Sequence, residues 1–157
     1  LTEDTAIRYA LKYLNSESPL YESTTVGSIY PGGRARCDLV IPGQWAVEFK
    51  LIRPFGDNGA PAEHWSENIL HPYAGNISAI GDCIKLRSSA FPSRKAVIVF
   101  GFEHTPPQVD LTVAIRAFEV IATQLVNIEL GPRFEAGFGE LIHPVHQQVK
   151  VFGWEVL

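Results

Sequence analysis

The run Arg36–Leu51 (RCDLVIPGQWAVEFKL) consists of two apolar segments joined by Pro42-Gly43, and it constrains the chain more than any other stretch. It reads as a β-hairpin, because Pro-Gly supplies a turn and the flanking residues suit a pleated, half-buried strand. In Glu48-Phe49-Lys50 the two charged residues stand two apart inside an apolar strand, so their side chains leave the same face. Register decides what else shares that face. A two-residue loop at Pro42-Gly43 sets Asp38 opposite Val47, whereas an odd loop of three or five residues, or one with a bulge, sets it opposite Glu48. If the two acids and the lysine work together, the odd register is required.

The rest of the chain bounds what can surround this hairpin. With 157 residues and 46% hydrophobic content, it supports one domain over 1–157 with a core of its own. Leu1 is not a natural start, which fits a trimmed or processed piece of a somewhat longer protein. No apolar run reaches the roughly 18 residues of a membrane span, and no basic-then-apolar leader opens the sequence, so a soluble cytoplasmic protein is expected. Cys37 and Cys83 form no CxxC pair and sit among apolar residues, as reduced buried thiols do. The net charge of −4 argues against a protein that coats nucleic acid non-specifically. The charge is uneven, however. Residues 34–95 carry eight Lys and Arg against six Asp and Glu, a net of +2, and the remainder sums to −6. The neighbourhood of the hairpin is therefore where a polyanion is best tolerated, more so with a cation on Asp38 and Glu48.

In chain order, Thr2 is placed to cap a helix running to about Asn15, with Glu3 and Asp4 in its first turn. Ile7, Ala10, Leu11 and Leu14 form its apolar stripe, and Glu3 falls on that stripe, which makes it a candidate site residue. Tyr21–Tyr30 reads as a strand, turned into the hairpin by Pro31-Gly32-Gly33. Arg53–Gly75 is a long polar stretch with a short helical turn within 62–70, and it fits a lid or substrate-contacting flap offering Arg53, His64, Trp65 and His71. Asn76 is placed to cap a helix to Ser88 that buries Ile77, Ile80 and Ile84, while Ser78 and Lys85 share a flank from which Lys85 could reach a phosphate. Lys95–Glu103 reads as a buried inner strand. Asp110 caps a helix from Leu111 to about Leu125 with Val113, Ala117, Val120 and Ile121 on its apolar face. Irregular turns and a closing strand, Gln148–Val156, complete the chain. His143 and His146 are three apart, but Pro144 breaks helical geometry and no third ligand is near in sequence.

Two carboxylates converging on a strand pair make a site for a hard divalent cation, Mg²⁺ or Mn²⁺, to which the backbone carbonyl of Phe49 could add a ligand. Such an ion polarises a phosphoryl oxygen and helps deprotonate an attacking water. Lys50 would orient that water, neutralise developing charge, or act as base.

The pattern Asp38, nine residues, then Glu48-Phe49-Lys50, with a helix before and a helix and strand after, resembles the PD-(D/E)xK, or restriction-endonuclease-like, nuclease superfamily. The resemblance covers residues 2–103 and implies an α/β (α+β) fold with an αβββαβ core, a central mixed sheet flanked by helices, and an added C-terminal helix and strand in 104–157. It also implies Mg²⁺-dependent hydrolysis of phosphodiester bonds, with Asp38 and Glu48 as metal ligands, Lys50 as the catalytic lysine, and Glu3 matching the acid that members add from their first helix. Cys37 stands where the family carries its proline. Arg53, His71, Ser78 and Lys85 are the candidate substrate contacts. The expected partner is nucleic acid, DNA ahead of RNA, and a homodimer or larger assembly is compatible with this. The rival from another class is a catalytically inactive module of the same fold that binds nucleic acid or protein.

Overall fold

A computed structural model of the chain describes residues 2–73, 75 and 77–157. Helix α1 (Glu3–Glu17) starts where Thr2 accepts the Thr5 N–H, and Ser18 opens a 3₁₀ turn over Pro19–Tyr21. Strands β1 (Thr25–Ile29), β2 (Arg36–Ile41) and β3 (Trp45–Ile52) follow. The one-turn helix α2 (Glu67–Leu70) and helix α3 (Ala79–Ser88) then lead to β4 (Arg94–Glu103). Helix α4 (Leu111–Val120) runs on into a π-helical turn, Ile121–Leu125, before β5 (Phe134–Phe138) and β6 (Gln148–Glu155). The strands form one mixed sheet in the order β1-β2-β3-β4-β6-β5, with β3 and β4 parallel and the other neighbours antiparallel. A parallel pair needs a crossover, and the segment carrying α2 and α3 supplies it.

Helices pack on both faces of this sheet. On one, Ile80, Cys83 and Leu86 of α3 and Leu111, Ile115 and Phe118 of α4 join Ala46, Ile52, Val97 and Val99 of the strands in the main core. On the other, Ile7 of α1 packs on Leu39, Ile41 and Val47. The strand alternation explains the division: Ala46, Glu48, Lys50 and Ile52 share a parity, and Trp45, Val47, Phe49 and Leu51 share the other. Both cysteines are free and buried. Among the described residues, no helix is long and apolar enough to cross a membrane.

Several helix faces differ from the sequence reading. Ile77 is exposed rather than buried, because it precedes the helix that Ser78 caps. Asn76, the cap expected from sequence, lies outside the described residues. On α4 the buried set is Leu111, Ala114, Ile115 and Phe118, while Val113 and Val120 face outward. The helix is apolar nearly all round, so the sheet beneath it, where Phe118 meets Trp154 at 4.8 Å, selects the buried face. The C-terminal region holds two strands rather than one. The exposed residues of β5 hide its pattern, and pairing with β6 defines it.

Candidate functional site

The hairpin closes through three residues, Pro42–Gln44, with Gly43 at φ +70° and the Gln44 N–H on the Ile41 carbonyl at 3.0 Å. An odd loop of this kind suits a glycine in the left-handed region. Pairing runs Ile41↔Trp45, Val40↔Ala46, Leu39↔Val47, and the same register sets Asp38 across from Glu48. The backbone ladder stops at that step. Side chains bridge it instead: Asp38 Oδ2 accepts the Phe49 N–H at 2.7 Å, and Glu48 Oε2 accepts the Asp38 N–H at 3.2 Å. On the other side of Asp38, the β1–β2 pairs Val26↔Leu39 and Ser28↔Cys37 flank Gly27, whose φ of +68° interrupts that ladder too. Asp38 thus sits in a gap between two ladders, its N–H turned to a carboxylate.

Glu48 and Lys50 point toward α3, where Asp82 and Lys85 meet them. Lys85 Nζ lies 3.1 Å from Glu48 Oε1 and 2.7 Å from Asp82 Oδ1. Lys50 Nζ lies 2.9 Å from Asp82 Oδ2, an ion pair that adds no well-directed hydrogen bond to that oxygen, and 3.9 Å from Glu3 Oε2. Glu3 also accepts the Leu51 N–H at 3.0 Å, so the start of α1 is tied to the end of β3. Tyr30, at the end of β1, donates its hydroxyl to Glu48 Oε1 at 2.5 Å. The result is an alternating row, Glu3, Lys50, Asp82, Lys85, Glu48, with Asp38 attached through the backbone.

Four carboxylates face two ammonium groups here, a formal charge of −2, and the titration of the groups reflects it. Burial, then Asp82 and Asp38, push Glu48 up to about 7 despite the Tyr30 and Lys85 contacts. Burial likewise raises the Glu3 carboxyl, against the pull of Lys50. Burial opposes the charged forms of both lysines, yet Asp82 and Glu3 for Lys50, and Asp82 and Glu48 for Lys85, outweigh it and hold both pKa values high. Burial and the Glu48 charge keep the Tyr30 phenol protonated. Such a site lacks positive charge and offers only oxygen ligands, which suits a hard divalent cation. Its present geometry is not a tight cage. Among the described residues, the only trio of metal-type donors within 4.8 Å of one another is Asp57, His143 and His146.

That trio joins the loop after β3 to the loop before β6, with His146 Nε2 3.0 Å from Asp57 Oδ1 and the two imidazoles stacked at 4.7 Å. His143 Nδ1 accepts the N–H groups of Val145 and His146 at 3.1 and 3.0 Å. A neutral ring then carries its proton on Nε2, the reverse of a metal-ligating histidine, whose second nitrogen donates. The geometry fits a latch between loops better than a metal centre.

The remaining sequence candidates are dispersed. Arg53 pairs with Asp57 at 3.6 Å. His64 pairs with Glu67 at 2.8 Å, and Trp65 packs against the main core. His71 meets the Tyr73 ring at 5.4 Å. Ser78 is buried, capping α3 through the Gly81 N–H at 3.1 Å and donating to the His71 carbonyl at 2.8 Å. Lys85 faces the acids. The first part of the long polar stretch after β3 folds back on itself, with Phe55 bridging to Pro61, and is fastened to the far loop through Asp57.

Sequence reasoning missed Tyr30 and Asp82. Asp82 lies four residues after Ser78 and three before Lys85, on the flank already assigned to those two, so helical spacing could have found it. A concavity of about 670 Å³ lies between α1 and the opposite sheet face, and Glu3 is its one lining residue from this row. Comparison with protein-family models, curated proteins and solved structures found no match.

Proposed function

We propose that the chain is a metal-dependent nuclease of the restriction-endonuclease-like kind, hydrolysing phosphodiester bonds, with DNA ahead of RNA as substrate. The observation that carries this reading is the gap in the sheet where Asp38 and Glu48 stand opposite each other, with Lys50 on the same face and Glu3 arriving from α1. Mg²⁺ or Mn²⁺ on the oxygens of Asp38, Glu48 and Glu3 would polarise the scissile phosphoryl group and lower the pKa of an attacking water. Lys50, anchored by Asp82, presents a positive charge where negative charge develops on the phosphate oxygens. Tyr30 and Asp82 contribute by holding Glu48 and the two lysines in place.

One observation favours the rival reading of an inactive binding module. Glu48 is 2% exposed, and both of its oxygens already have partners within the chain. The test is cleavage of single- and double-stranded DNA and RNA with Mg²⁺ or Mn²⁺, comparing wild type with Asp38→Ala and Lys50→Ala. Each substitution is expected to lower the rate at least about a hundredfold. Activity persisting in both variants sinks the proposed site, and a wild type inert on every substrate moves the assignment to the binding module.

A further inference from the structure

We propose that Lys85 is the resident counter-cation of Glu48, exchanged for the divalent ion when the site loads, with Asp82 tethering the released ammonium beside the site. This rests on the metal-dependent reading above. The two lysines of the row are not equivalent. The Lys50 side chain is 11% exposed and lies between Asp82 and Glu3, held from two elements. The Lys85 side chain is 34% exposed and reaches Glu48 from a helix flank, its ammonium 3.1 Å from Oε1. It therefore occupies Oε1 of the carboxylate that a divalent ion needs, and it is the more accessible of the two cations. Tyr30 shares that oxygen, but as a neutral donor it does not balance the charge.

Displacing Lys85 from Glu48 does not strand it. Asp82 Oδ1, at 2.7 Å and on the same helix three residues earlier, is the shorter of its two contacts. Asp82 itself is 1% exposed, and its other oxygen faces Lys50, so it is a fixed post for both lysines. In the exchanged state Lys85 pivots on Asp82, and its open side turns to solvent, where a phosphodiester would lie. Glu48 is thus never left buried without a counter-charge, which would be unfavourable. Lys85 becomes a positioning residue with two stations, one that protects the empty carboxylate and one that receives substrate.

The test is calorimetric titration of Mg²⁺ into the nucleic-acid-free protein at pH 9. Lys85→Met removes the competitor, and since a hydrogen bond to a charged group is lost from the apo state alone, Mg²⁺ is expected to bind about tenfold tighter or more. Lys85→Arg keeps the charge and is expected to bind like wild type, while Asp82→Asn leaves Lys85 to Glu48 alone and weakens binding. Unchanged or weaker binding by Lys85→Met, with Glu48→Gln abolishing it, overturns the exchange and leaves the metal site standing. Wild-type affinity in Glu48→Gln overturns both, as does a wild type that takes no ion. Should Lys85→Met fail to fold, the Nζ resonance of Lys85 in wild type decides: it shifts on Mg²⁺ saturation if the exchange occurs, and an unmoved resonance refutes it.

Discussion

Glu48→Gln exposes a conflict between this site and the stability of the fold. The Glu48 carboxyl titrates at about 7 in the folded chain against an ordinary value of 4.5, raised by burial and by Asp82 and Asp38. Its folded pKa is the higher one, so the folded state holds the proton more tightly than the unfolded chain. That stabilising contribution is complete below pH 4.5, declines as the pH rises through 7, and is gone above it. Between 4.5 and about 7, at about 1.4 kcal/mol per pH decade, roughly 3 kcal/mol is lost. Gln keeps an acceptor for Tyr30 and Lys85 but turns its amide toward the Asp38 N–H, forfeiting a bond worth about 1 kcal/mol. The variant should therefore be about 1 kcal/mol less stable than wild type at pH 4.5 and about 2 kcal/mol more stable at pH 8. Urea unfolding in chelator-containing buffer across that range measures the crossover. A difference that stays constant with pH, or a variant less stable at pH 8, would refute the account of Glu48 as a strained, buried carboxylate.

Tyr30→Phe removes the hydroxyl that favours ionised Glu48, so it should cost about 1.5–3 kcal/mol at pH 8 and less at pH 4.5. Carbon-detected titration of Glu48 should then show its pKa moving further up. Gly101→Ala would drive a methyl into Leu111 Cδ1, with the Ile52 side chain 3.4 Å away, and overpacking of this kind typically costs about 1–3 kcal/mol, readable as a lower urea midpoint.

The hairpin was the most legible part of the chain because its constraints are local. Parity and an odd loop bring Asp38 to Glu48, and the structure has a three-residue loop. Glu3 was legible for a similar reason: a carboxylate on the apolar stripe of α1 needs a polar partner, and it finds the Leu51 N–H. Helical spacing puts Lys85 on a flank within reach of a phosphate, but it does not show that Asp82 and Glu48 draw the side chain inward. Tyr30 gave no local signal, since its hydroxyl meets Glu48 only once β1 is laid beside β2 and β2 beside β3. Asp57 and His146, 89 residues apart, are joined by loops with no periodicity of their own.

Where β2 and β3 part, the amides of Asp38 and Phe49 answer to carboxylates rather than to carbonyls of the neighbouring strand. The carboxylates that would engage an ion are therefore also the stitches of the sheet along the β2–β3 seam. These two amide protons are built-in reporters: hydrogen exchange at Asp38 and Phe49 reads the occupancy of the carboxylates from the backbone, with no substrate present.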